Sequence, residues 1–194
     1  MKLFVATHNA HKIAEISGIL PGFEIVAHDP QGIVEDAPDF AGNALIKVRA
    51  IAASHPGCWC MADDSGLEVA ALGGAPGVFS ARYAGEPSNT PANNALLLRN
   101  LEGVSDRRAN FTCAIALVAP DGGEHVLEGK CFGAISVSPS GKGGFGYDPL
   151  FVPDGYSHSF ADLGPEIKNG ISHRARALAK AKDLISGFAA VAGE

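Results

Sequence analysis

Apolar and polar positions along the chain follow two rhythms, one of strand period and one of helical period. Lys2 to Thr7 is a short apolar run that predicts a buried strand. Behind it Ile13, Ile16, Ile19 and Leu20 share one helical face, with Asn9 as N-cap and Pro21-Gly22 as the stop. Phe23 to His28 predicts a second strand, and residues 29–38, with Glu35-Asp36 and two prolines, an acidic loop. A helix is expected from Phe40 to Ser54, opened by Asp39, with Leu45, Val48 and Ala52 as its buried stripe. Asn43 and Lys47, four residues apart, share a face of it. Pro56-Gly57 separates this helix from a third strand that starts at Cys58 and is expected to end at Asp63-Asp64-Ser65-Gly66.

The second half changes character. Leu67 to Leu72 reads as extended, Gly73 to Gly77 as a tight turn, Ser80 to Tyr83 as a helical turn and Asn89 to Leu101 as a helix. Ala109 to Ala119 and Glu124 to Val137 predict two long strands joined by Pro120-Asp121-Gly122-Gly123, a hairpin signal and the antiparallel part of the sheet. Gly141 to Asp148 is a glycine-rich loop with interleaved aromatics, without P-loop spacing. A last helix begins after Ser172, turning Leu178, Ala181 and Ile185 inward. The fold class is therefore mixed α/β, with a central, partly antiparallel sheet flanked by helices. Residues 1–194 read as a single domain, its two halves forming lobes around a cleft.

A net charge of -6 argues against binding along nucleic acid, and no apolar stretch reaches membrane-spanning length. With no signal-peptide pattern at Met1 to Val5, a cytoplasmic location is expected. Cys58, Cys60, Cys113 and Cys131 lack the paired spacing of a zinc site, and His8 and His11 have no neighbouring acid in sequence.

The candidate chemistry sits at Asp63-Asp64. Adjacent carboxylates repel unless a cation or proton compensates them, so the pair points to a divalent metal or a general base. Lys12 opens the first helix and His173-Arg174 open the last, at the ends where the helix dipole disfavours cations. An anionic or carbonyl-bearing ligand between the two helices would remove that conflict. Glycines at 141–146 let backbone approach a ligand closely, and Phe145 or Tyr147 offers a stacking face.

Several blocks, in order along nearly the whole chain, resemble the inosine triphosphate pyrophosphatase family. They are Ala6-Thr7-His8-Asn9-Ala10-His11-Lys12, Glu35 ahead of Phe40-Ala41-Gly42-Asn43-Ala44, and Ala62-Asp63-Asp64-Ser65-Gly66-Leu67. Gly73 to Gly77 and Ser80-Ala81-Arg82-Tyr83 follow. The last are Gly143-Gly144-Phe145-Gly146-Tyr147-Asp148-Pro149 and Lys168-Asn169-Gly170-Ile171-Ser172-His173-Arg174.

The resemblance implies an elongated two-lobed fold, a homodimer, and Mg²⁺-dependent hydrolysis of non-standard purine nucleoside triphosphates (ITP, dITP, XTP) to monophosphate and pyrophosphate. It implies Asp64 as general base, and Glu35 and Asp64 as Mg²⁺ ligands with Asp63 beside them. The loop Thr7, His8, Asn9, Ala10, His11 and Lys12 would hold the triphosphate, with Lys47 and Ser65 near it. Phe145 would stack on the base; Gly146, Tyr147, Asp148, Lys168, His173 and Arg174 would line the base and sugar pocket. Donors facing a 6-oxo group would be left unpaired by adenine, which accounts for rejection of ATP.

His8 stands where many members have glycine, Gly42 where a glutamate is common and Leu163 where methionine is frequent. Three other readings remain. One is a septum-formation pyrophosphatase acting on pyrimidine or modified nucleotides, which the Phe-Gly-Tyr-Asp and Ser-His-Arg blocks oppose. Another is an aspartyl-phosphate phosphatase, which needs Asp-x-Asp where this chain has Ser65. The third is a nucleotide-binding module without catalysis.

Overall fold

The computed structural model describes residues 1–28 and 32–191. Residues 29–31 of the expected acidic loop lie outside them. Among the described residues six strands form one mixed sheet in the order β2-β1-β3-β4-β5-β6. They are β1 (Lys2–Ala6), β2 (Glu24–His28), β3 (Trp59–Val69), β4 (Arg108–Val118), β5 (Glu124–Ile135) and β6 (Phe151–Pro153). β1 pairs in parallel with β2 and β3, while β3 to β6 are antiparallel. The helices are α1 (Ala10–Ile19), α2 (Phe40–Ala52), α3 (Thr90–Asn100), α4 (Phe160–Ile171) and α5 (His173–Val191). Among the described residues no helix is long and apolar enough to cross a membrane.

The caps act as the residue types require. Asn9 accepts from the backbone N–H groups of His11 and Lys12, Asp39 from Gly42 and Asn89 from Ala92. One sheet face carries Leu3, Val5, Met61, Ile115 and Leu117 against Ile16 of α1 and Leu178, Ala181 and Ile185 of α5. The opposite face carries Ala6, Cys60, Ala62 and Ala116 against Ala44, Val48 and Ile51 of α2. The buried stripe of α2 is thus rotated from the expected one, since Leu45 and Ala52 are only partly buried. A second core, with Leu67, Phe111, Tyr147, Phe151 and Phe160, fills the far end of the long strands.

β6 was not expected, and two further elements differ from the sequence reading. The third strand does not end at the acids but runs through them to Val69, paired with β4 along its length. α4 was not expected, because Gly164-Pro165 breaks its pattern; the chain kinks there, with Gly164 at φ 79°, and resumes as helix. Gly66 permits the close approach of the 3₁₀ segment Gly77–Arg82, since a Cβ at 66 would lie 2.5 Å from both the Gly77 carbonyl and Ser80 Oγ. Gly66→Ala is expected to lower unfolding free energy by about 1–3 kcal/mol, the scale of core overpacking. Urea titration checks this; an unchanged midpoint would mean the 77–82 segment yields freely.

Candidate active site

Strand geometry decides how the acids are used. Neighbours on a strand point to opposite faces, so Asp63 and Asp64 diverge instead of crowding. β1 pairs with β3 only as far as Val5↔Met61, leaving the stretch beyond Met61 open on that edge. A cleft of about 740 Å³ occupies this opening.

Asp64 turns toward α2, where Lys47 Nζ lies 3.3 Å from its Oδ1 and Asn43 Nδ2 donates to its Oδ2 at 3.3 Å. Lys47 Nζ also donates to Glu35 Oε2 at 2.8 Å, so one ammonium bridges the two carboxylates. Asn43 and Lys47 share their helix face as their spacing predicts, and Asn43 Oδ1 accepts from Ala37 N–H, tying the Glu35 loop to α2. Burial raises the Asp64 carboxyl from its ordinary value, and Glu35 and Asp63 add to this against Lys47 and Lys12. Burial works against the Lys47 ammonium, but Asp64, Asp63 and Glu35 outweigh it and raise its pKa.

Asp63 turns the other way and is fully buried. Its Oδ2 accepts from Arg174 Nε at 3.2 Å and Nη2 at 3.0 Å. Lys12 Nζ lies 3.1 Å from Oδ1, off the line of a hydrogen bond, so this attraction is mainly Coulombic. Burial alone would raise the Asp63 carboxyl, yet Lys12 and Arg174 hold it well below the carboxylate range. This corrects the expectation drawn from the helix starts. The anion that reconciles Lys12 and Arg174 with their helix dipoles is the protein's own Asp63.

Arg174 Nη2 also donates to Ser65 Oγ at 2.9 Å, and Nη1 pairs with Glu15. Glu15, on α1, is bound by Lys168 Nζ at 2.7 Å as well, and Lys168 Nζ donates to Asp148 Oδ2 at 2.6 Å. Asp148 Oδ2 accepts from Phe145 N–H at 2.8 Å, which pins the glycine loop. Tyr147 is buried, its hydroxyl donating to the Ser80 carbonyl at 2.9 Å. His173 stacks on Phe111 at 4.7 Å between centroids, and burial together with the Arg174 charge keeps its imidazole neutral. Its Nδ1 is buried without a hydrogen-bond partner.

Of the expected site residues, Thr7, His8, Asn9, His11, Lys12, Glu35, Lys47, Asp63, Asp64 and Ser65 line this cleft. So do Phe145, Gly146, Tyr147, Asp148, Lys168, His173 and Arg174. Ala10 does not; it is exposed at the start of α1. Sequence reasoning missed Asn94, which lines the cleft and donates to the Gly146 carbonyl at 3.1 Å, and Glu15, which couples Lys168 to Arg174. A charge beside Ile16 on α1 was the available signal for Glu15. Gly42 has a local reason as well: a Cβ there would lie 2.6 Å from the Ala37 Cβ, so a glutamate at 42 requires this loop to shift.

Paired carboxylates beside lysines, under a loop that carries an aromatic ring, define an α/β protein whose cleft suits a small polyanion with a flat organic part. The chain belongs to the Ham1 family, whose model matches residues 3–184. It is 50% identical to the dITP/XTP pyrophosphatase of Porphyromonas gingivalis, over 95% of this chain and 97% of that protein. It is 49% identical to the dITP/XTP pyrophosphatase of Leifsonia xyli, over 92% of each chain. Among solved structures, the Ham1 protein of Staphylococcus aureus superposes with a TM-score of 0.86 at 36% identity, covering 97% of this chain and all of that one.

Proposed function

We propose that this chain hydrolyses the non-standard purine nucleoside triphosphates dITP, XTP and ITP to monophosphate and pyrophosphate. The observation that carries the reading is the convergence of Asp64, Lys47, Lys12 and Phe145 on one cleft of a family whose relatives are named dITP/XTP pyrophosphatases. Asp64 is the general base. Its hydrogen bonds from Asn43 and Lys47 are both long, so each oxygen keeps capacity to accept a proton from water. Lys12 and Lys47 supply positive charge for the phosphates, and Phe145 the face on which the base stacks.

Glu35 and Asp64 are suited to hold Mg²⁺, because their carboxylates already converge on a single cation, the Lys47 ammonium. Two carboxylates, with waters and substrate phosphates, meet that ion's demand for hard oxygen donors. A bound Mg²⁺ would neutralise phosphate charge and lower the pKa of water. Asp63 is engaged by Lys12 and Arg174, and its role in this reading is to position those cations. His173 and Lys168 face the base edge, where a neutral imidazole and an ammonium discriminate a 6-oxo from a 6-amino group. A single cytoplasmic domain acting as a homodimer completes the reading.

The test is a panel of dITP, XTP, ITP, dATP, dGTP, dTTP and UTP with Mg²⁺, scored for pyrophosphate against orthophosphate. Pyrophosphate from the 6-oxopurine analogues is expected. A preference for dTTP or UTP, or binding without turnover, would overturn the assignment. Lys12→Ala is expected to weaken triphosphate binding about tenfold, and monophosphate binding much less, since charge neutralisation scales with the phosphates engaged. Equal losses would remove Lys12 from the phosphate site.

A further inference from the structure

The His11 imidazole lies over the Phe145 ring, with centroids 5.1 Å apart and planes 15° from parallel. That is direct stacking contact, with no room for a third ring between them. The two rings are held differently. Phe145 is half-buried and fixed, its N–H bound by Asp148, which Lys168 holds in turn. Lys168 Nζ also stands 4.5 Å from the Phe145 centroid. His11 projects from the exposed first turn of α1, where its backbone N–H is tied to Asn9 Oδ1 at 2.9 Å. Rotation of an exposed side chain about its χ angles takes picoseconds to nanoseconds, so this ring can lift without moving the helix.

The geometry points to His11 as a mobile aromatic cover: the purine ring enters between His11 and Phe145 and is stacked on both faces. This rests on the reading that seats the base on Phe145. It moves His11 from the phosphate contacts its loop suggested to the base. Without substrate the cover rests on its floor and shields the aromatic surface; with substrate it closes on the base from the side of Lys12. Every base has a π-face, so the cover adds affinity without choosing between bases. Choice is left to the groups at the base edge.

Calorimetric titration with inosine monophosphate, which carries a base, and with pyrophosphate, which does not, separates the possibilities. His11→Ala is expected to weaken inosine monophosphate binding about tenfold and leave pyrophosphate binding unchanged. His11→Phe is expected to restore the binding. Unchanged or tighter inosine monophosphate binding in the alanine variant would show that the imidazole merely blocks the slot. Parallel loss of pyrophosphate binding, not rescued by phenylalanine, would make His11 a phosphate ligand; either result overturns the cover. Phe145→Ala distinguishes this from failure of the base site itself. If Phe145→Ala binds inosine monophosphate normally, the site reading falls; if it binds weakly while His11→Ala is unaffected, the cover alone falls.

Discussion

Asp64→Asn is expected to lower kcat on dITP by about 10²–10⁴-fold, the size of a lost general base, while substrate still binds. Asparagine keeps the shape of the side chain beside Asn43 and Lys47 but has no oxygen basic enough to take a proton from water. Burial raises the Asp64 carboxyl, and a raised pKa makes the carboxylate a stronger base than that of an exposed aspartate. A raised carboxyl also means that the fold disfavours the charged form relative to the unfolded chain. The neutral variant should therefore remain folded, and a loss of rate reports chemistry. In the wild type, kcat should fall on the acid side as this carboxyl takes up a proton. Single-turnover assays across pH check both points; a variant that retains the wild-type rate would place the base elsewhere.

Asp63→Asn is expected to act on stability, removing about 3–5 kcal/mol, because it strands the buried Arg174 guanidinium and the Lys12 ammonium without their anion. Arg174 is 1% exposed and cannot recover water in place of the lost partner. Glu15 and Ser65 still bind Arg174, and this keeps the expected loss from being larger. The sign of the pH dependence follows from the direction of the shift. The Asp63 carboxyl lies well below its unfolded value, about 3.9. Its contribution is fully present above that value and is lost as pH falls toward the folded-state pKa. Urea unfolding at neutral pH and in acid should show the wild-type advantage over Asp63→Asn shrinking as pH falls below about 4. A difference below about 1 kcal/mol at neutral pH would mean that the pair is already solvated.

These two neighbours show where sequence reasoning reached its limit. The acidic pair was identified as chemical, but as a strand tip where two charges crowd. Asp63 and Asp64 instead lie within β3, and the pleat sends one to α5 and the other to α2. The pleat thus gives the two acids different nearest cations, Lys12 and Arg174 for Asp63 and Lys47 for Asp64. Asp63 is engaged by Lys12 and Arg174 in the interior, while Asp64 faces the cleft beside Lys47 and Asn43. Glycine at 66 masked the continuation of the strand, because it reads as a turn residue when its actual role is close approach to Gly77 and Ser80.

The local rules succeeded where the cause is local. Asn9 and Asp39 cap the helices they were expected to cap, because an N-cap needs only its own following N–H groups. The β4–β5 hairpin closes at Ala119–Gly123, as its turn residues require. The site residues named from the family blocks line one cleft apart from Ala10, since those blocks carry the side chains and backbone turns that build it. The roles of Glu15 and Asn94 and the stacking of His11 on Phe145 were not legible, because each depends on partners distant in sequence: residues 168 and 174 for Glu15, 146 for Asn94 and 145 for His11.

The chain by itself determined most of its strands and helices, several of their caps and turns, and which residue types are candidates for the chemistry. Those follow from periodicity and from bonds a few residues long. The tertiary structure alone decided which carboxylate faces which cation, where the sheet opens into a cleft, and which ring lies on Phe145. Such pairings come from the side-chain directions of distant elements once packed. Burial raises both carboxyls; at Asp64 it prevails, while at Asp63 the Lys12 and Arg174 charges overcome it and hold the carboxyl down.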